Sequence, residues 1–190
     1  MTGRIFSRFQ SACTIKLPLL TGKTTVTKTA PLSQQAYLEK CKTAASKGNV
    51  IAQNTLGFLY LNGQSVTQDY QLAAKWFRHA ADNHYAPAQF NLAIMYKLGQ
   101  GVEQNHSESI KWMQLAANQD YAEAQSHLGN MYYQGLAVMQ DYQMAYMWWS
   151  LAEQNGVEDL QHIKAVLLEK MTESEIDQAE QSIKQWQKKQ

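Results

Sequence analysis

An offset of 36 residues superimposes the sequence on itself three times, and this periodicity constrains the fold more than any single motif. Ala52, Ala88 and Ala124 align, as do Gln53, Gln89, Gln125; Leu56, Leu92, Leu128; Tyr60, Tyr96, Tyr132; and Gly63, Gly99, Gly135. The register continues through Val66, Val102, Val138; Gln68, Gln104, Gln140; Trp76, Trp112, Trp148; and Ala80, Ala116, Ala152. Nine of 36 positions are thus identical in all three copies, where unrelated segments of average composition would share about a tenth of a position. A period of this length means stacked units, each too small to bury its apolar faces alone.

The spacing within one copy gives the unit. Ala52, Leu56 and Tyr60 fall at i, i+4 and i+8, one face of a first helix, helix A. Gly63 follows its last turn, where a left-handed residue ends a helix, and Asp69, Asn105 and Asp141 are placed to cap a second, helix B. Ala73, Trp76 and Ala80 line helix B, with small residues around the indole that let two helices approach closely. The expected fold is all-α, a right-handed solenoid of stacked helical hairpins. Gly63, Gly99 and Gly135 are expected at positive φ, whereas positions 65, 101 and 137, held by Ser65, Gly101 and Ala137, are expected not to need it.

The divisions follow from the period: a basic flexible leader over 1–33, then a repeat domain over 34–190. That domain divides into an N-terminal half repeat (34–47), repeats at 48–83, 84–119 and 120–155, and capping helices over 156–190. In the half repeat, Tyr37, Leu38, Cys41, Ala44 and Ala45 have the phase of helix B. At the other end Asp159 to Lys170 reads as a final helix A with Leu160, Ile163, Val166 and Leu167 inward. Thr172-Glu173-Ser174-Glu175 is a capping box that opens a last polar helix running through Trp186.

Composition removes several functional classes. With 17 basic and 16 acidic residues in 190 and a formal charge of +1, the chain has no electrostatic footprint for nucleic acid. No stretch approaches the roughly 18 uninterrupted apolar residues of a membrane helix. The charge is uneven: residues 1–38 hold Arg4, Arg8, Lys16, Lys23 and Lys28 without an acid, and the remainder holds 12 bases and 16 acids. Leu17-Pro18-Leu19-Leu20 is too short and too late for a secretory core. Gln10-Ser11-Ala12-Cys13 faintly resembles a lipoprotein cleavage box, although Arg8 interrupts the apolar stretch before it. The acid-free, hydroxyl-rich leader also resembles a mitochondrial presequence. The plain reading is a disordered tail, and a soluble cytoplasmic placement is preferred over a periplasmic, lipid-anchored or mitochondrial one.

Chemistry finds no footing in the motifs. Gly22-Lys23-Thr24 echoes a phosphate-binding loop, but Leu17 stands where that motif needs its first glycine. His79, His84, His106, His127 and His162 occupy unrelated positions in the repeat, and Cys13 and Cys41 fall short of a structural zinc set, so neither metal nor cofactor is expected. No Gly-x-Ser-x-Gly or Ser-x-x-Lys setting for a nucleophile occurs. The expectation is a non-enzymatic protein.

Ala52 through Gly63 (AQNTLGFLYLNG) and Asp69 through Phe77 (DYQLAAKWF), repeated at 36, closely resemble the Sel-1-like repeat family, relatives of the tetratricopeptide repeats. The resemblance covers about residues 35–190. Two departures stand out: the family's second loop glycine is kept only as Gly101, and its helix A glycine, Gly57 and Gly129 here, is Ala93 in the second copy. The resemblance implies an adaptor or scaffold that holds other proteins in complexes.

Residues that recur in register, the Trp and Tyr columns above all, are expected to be core. Those that vary are informative. Ile51, Asn54, Phe58 and Leu61 lie opposite the repeated stripe of helix A. Their equivalents are Pro87, Phe90, Ile94, Lys97 and then Glu123, Ser126, Asn130, Tyr133. Such apolar side chains either pack on adjacent helices or line a groove. The candidate partner-binding set is Asn54, Phe58, Phe90, Ile94, Lys97, Asn130 and Tyr133. It would capture a protein or peptide on the concave helix A face of a monomer, with an accessory subunit of a cell-envelope or organellar complex, placed by the leader, as the alternative.

Overall fold

The computed structural model describes residues 34–188; the expected leader, with Cys13 and Gly22-Lys23-Thr24, lies outside them. The described residues form an all-α solenoid of helical hairpins. The elements are α1 (Gln34–Ser46), α2 (Val50–Asn62), α3 (Tyr70–Asp82), α4 (Ala86–Leu98), α5 (His106–Ala117), α6 (Ala122–Gln134), α7 (Tyr142–Gln154), α8 (Gln161–Leu168) and α9 (Glu173–Gln187). Helix A of the three repeats is α2, α4 and α6, and helix B is α3, α5 and α7.

Local chemistry sets each boundary. Asp69, Asn105 and Asp141, all extended, accept from the backbone N–H of Leu72, Glu108 and Met144 at 2.9–3.0 Å, satisfying donors that a helix start leaves unpaired. Gly63, Gly99 and Gly135 end helix A at φ 65–67°, as expected. The second loop position corrects the sequence reading: Ser65 and Ala137 have φ 61° and Gly101 has φ 69°. The tight return to helix B needs two left-handed residues, so Ser65 and Ala137 carry a strain of about 1 kcal/mol that glycine would not.

The repeated glutamines, unexplained by the sequence alone, tie one hairpin to the next. Gln53, Gln89 and Gln125 are buried and donate through Nε2 to the carbonyls of Ala45, Ala81 and Ala117, each at 3.2 Å. Those carbonyls lie at the end of the preceding helix, and each also accepts from a turn N–H, of Gly48, His84 and Asp120 respectively, so the glutamine supplies a second donor. Gln68, Gln104 and Gln140 do the same within each hairpin, donating to Leu61, Lys97 and Tyr133 carbonyls at 2.8 Å.

The core departs from expectation in two columns, since Tyr60, Tyr96 and Tyr132 are all half-buried and the Trp column is uneven. Trp148 is buried, but Trp76 and Trp112 are only half-buried. The fully covered residue is the next one along, Phe77, Met113 and Trp149. These vary in size because each lies on a matching small residue of its own helix A: Gly57 beneath Phe77 and Gly129 beneath Trp149. Ala93 occupies that column where the partner is the slimmer Met113, which accounts for the second departure from the family pattern.

The ends differ from simple repeats. In α1, Leu38, Cys41 and Ala45 are buried against Ala52 and Leu56. α8 is shorter than expected, with Leu160 and Leu167 buried but Val166 exposed, against its expected inward position. The capping box at Thr172 forms in full. α9 lies on the outer face of α7: Ile183 joins Met147, Trp148 and Leu151 in one apolar cluster, and Trp186 meets Trp148 edge to face at 5.2 Å. The first two copies hold Lys75 and Lys111, His79 and Leu115 at the columns of Met147 and Leu151, all exposed. The change to buried apolar side chains in the third copy was therefore a legible signal for this docking.

Candidate functional site

The varying stripe runs along three helices that are almost without charge: α2 has no Asp, Glu, Lys, Arg or His, α4 has only Lys97, and α6 has only Glu123 and His127. The candidate residues fall into three groups along it. At the first junction Asn54 is buried and its Oδ1 accepts from Asn91 Nδ2 at 3.1 Å, so it bridges α2 and α4. Phe58 is half-buried, edge to face on Phe77 with centroids 5.4 Å apart.

The centre is formed by Phe90, Ile94 and Lys97, all half-buried. The Phe90 ring meets Tyr121 at 5.5 Å and His127 at 5.1 Å, joining α4 to α6. Burial, and then the nearby Lys97 charge, hold the His127 imidazole below its ordinary pKa. Burial, with Glu123 and Tyr85 adding, pushes the Tyr121 phenol up to about 12. Both groups are thereby kept neutral, so this part of the stripe presents uncharged rings. Sequence reasoning omitted Asn91, Tyr121 and His127, because none stands in the stripe by simple helical phase. It also omitted Leu98, 54% exposed one turn beyond Ile94. Leu98 was detectable, since its column holds Asn62 and Gln134 in the other copies.

At the far end Asn130 is exposed. Tyr133 is half-buried between Tyr142 and Trp149, and Lys170 lies over its ring at 5.3 Å while donating to its hydroxyl at 3.3 Å. The structure thus brings Phe90, Ile94 and Lys97 together on one helix and holds Asn54 and Tyr133 at separate junctions. Chemically the stripe offers apolar contact and amide hydrogen bonds.

Among the described residues, no group of three or more His, Cys, Asp or Glu side chains is placed to hold a metal, and no helix is long and apolar enough to cross a membrane.

The hairpins coincide with a known unit. The Sel1 repeat model matches residues 50–85, 86–121 and 122–157. Among solved structures, the chain is similar to a Sel1 repeat protein from Oxalobacter formigenes, with 33% identity over 65% of this chain and 50% of that one at a TM-score of 0.60. It is also similar to c5321, a protective antigen present in uropathogenic Escherichia coli strains that displays an SLR fold, with 25% identity over 80% of this chain and 40% of that one at a TM-score of 0.54. The chain therefore spans half or less of the length of these two proteins. No curated protein shows significant similarity to it. Three consecutive matched units over more than half of the sequence, each on a hairpin with the caps and glutamine ties described above, place this chain in the Sel1 repeat family.

Proposed function

We propose that the protein is a non-enzymatic adaptor that captures a peptide segment of a partner protein on the concave helix A face. Sel1 repeat proteins are generally protein-interaction scaffolds, which supports the class. The observation that carries the face is the contrast between columns. The copies agree at the buried Ala52, Gln53 and Leu56 columns that pack each hairpin on the one before, whereas Phe90, Ile94 and Leu98 are apolar, at least partly exposed and aligned on α4, at columns that elsewhere hold Asn54 and Ser126, Phe58 and Asn130, Asn62 and Gln134. Phe90 and Ile94 anchor an apolar segment and Phe58 extends the contact. Asn130, Lys97 and Tyr133 supply polar contacts along it, while Asn54 acts by fixing α2 against α4.

A pull-down from native lysate tests the reading. Phe90→Ala with Ile94→Ala is expected to abolish capture of a protein that the wild-type chain retains, since anchors contribute about 2 kcal/mol or more each. Leu115→Ala, on the exposed outer face of α5, is expected to leave capture intact. Equal retention by both variants would place the interface elsewhere.

A further inference from the structure

α4 carries two apolar rows at i+4 spacing, the kind of ridge through which helices pack. Ala88, Leu92 and Tyr96 form the first and face α3, with Ala88 and Leu92 buried in one cluster with Ala73, Phe77 and Ala80. Phe90, Ile94 and Leu98 form the second. Phe90 and Ile94 are half-buried beside the cluster that includes Leu128 and Met131 of α6, and Leu98 is 54% exposed. The first ridge is thus occupied by α3, and the second opens to solvent towards Leu98.

The direction of the open ridge is informative. Across the stack, the level of Phe90 holds Asn54 and Ser126, that of Ile94 holds Phe58 and Asn130, and that of Leu98 holds Asn62 and Gln134. A segment crossing the helices meets at most two neighbouring apolar side chains, whereas one lying along α4 meets three, spread over about 12 Å at 1.5 Å per residue. An extended chain laid in that direction needs partners for its backbone groups. The flanking amides of α2 are already engaged: Asn54 is buried and tied to Asn91, and Asn62 donates to the Phe58 carbonyl at 3.0 Å. A helix satisfies its own backbone and presents side chains at i, i+4 and i+7 to such a surface.

Charge adds a second property. Lys97 is half-buried and makes no ion pair among the described residues. Its column holds Leu61 and Tyr133 in the other copies, so the one copy with the apolar ridge also sets an uncompensated cation beside it. A segment seated there with a carboxylate near Lys97 is favoured over one with a base.

We infer that the occupant of the helix A face is an amphipathic α-helix of the partner, lying along α4 with its apolar side chains on Phe90, Ile94 and Leu98 and a carboxylate paired with Lys97. This rests on the helix A face being the capturing surface and specifies what it captures.

The test is an amide ¹⁵N–¹H titration of the full chain with a synthetic helical peptide of alanine and glutamine, carrying leucine at i, i+4 and i+8 and a glutamate beside each terminal leucine. Saturable shifts at Phe90, Ile94 and Leu98 are expected. The same peptide with proline between the first two leucines keeps the anchors but breaks the helix, and should bind at least about tenfold more weakly. A peptide with lysine for glutamate should also bind more weakly, and Lys97→Glu should invert that preference. Leu98→Asn, which installs the residue of the first copy at an exposed position, should melt with the wild type and weaken binding about five- to tenfold. Equal binding of the proline peptide, an unchanged charge preference in Lys97→Glu, or no saturable shifts at millimolar helical peptide overturns the inference. The pull-down separates it from the adaptor reading: if Phe90→Ala with Ile94→Ala loses capture while the peptide result is negative, the face stands and the helical occupant falls, and if capture also survives, both fall.

Discussion

Gly57→Ala is the sharpest probe of how the hairpins close. A β-carbon built at Gly57 would lie 2.5, 2.6 and 2.9 Å from Cε1, Cδ1 and Cζ of Phe77, roughly an ångström inside the about 3.5–4.0 Å optimum for two carbons. The ring cannot retreat, because Phe77 is 0% exposed and Phe58 stands edge-on to it. Overpacking of this kind typically costs about 1–3 kcal/mol, and three overlapping atoms on a closed-in ring put this case at the upper end. Exchanging glycine for alanine in a helix returns about 1 kcal/mol. The net expectation is a loss of about 2 kcal/mol, or about 4–8 °C in Tm for a chain of this size. Phe77→Met, combined with Gly57→Ala, reproduces the Ala93–Met113 pairing of the second repeat and should recover most of the loss. Urea denaturation of the wild type, both single variants and the double variant measures the coupling. A neutral or stabilised Gly57→Ala, or a double variant no better than the sum of its parts, would refute size matching as the reason these columns vary.

Other expectations follow from the same columns. Ser109 is 1% exposed with an unpaired Oγ, at a column that holds Ala73 and Ala145, so Ser109→Ala should raise the unfolding free energy by about 1 kcal/mol in a denaturant titration. Ala137→Gly, at φ 61°, should also gain about 1 kcal/mol, while Gly101→Ala should destabilise more, because its β-carbon would overlap the Tyr70 carbonyl. His127 has a folded pKa below its unfolded value. Its contribution is therefore fully present above the ordinary value of about 6.5 and is lost as the pH falls through the window below it; His127→Gln should flatten that part of a Tm-against-pH curve.

The repeat, its two helices, their caps and the closing capping box were legible in the sequence, because each depends on local chemistry that recurs at fixed spacing. An N-cap aspartate or a left-handed glycine acts within one turn, and three copies of the same pattern leave little room for another assignment. What packing decides was less visible. Positive φ at Ser65 and Ala137 depends on the path of the whole loop, and the depth of Phe77, Met113 and Trp149 beneath half-buried Trp76 and Trp112 depends on which neighbour lies across each helix. The stripe on helix A could be drawn by phase, but only the tertiary structure separates Asn54, held between α2 and α4, from Phe90 and Ile94 at the centre of the face. The docking of α9 on α7 joins residues far apart in sequence, such as Trp148 and Trp186; the apolar change in the third copy marks a covered face, but only the stack shows which helix covers it. Spacing along the chain determined the repeating unit, while contacts across it determined where the repetition ends.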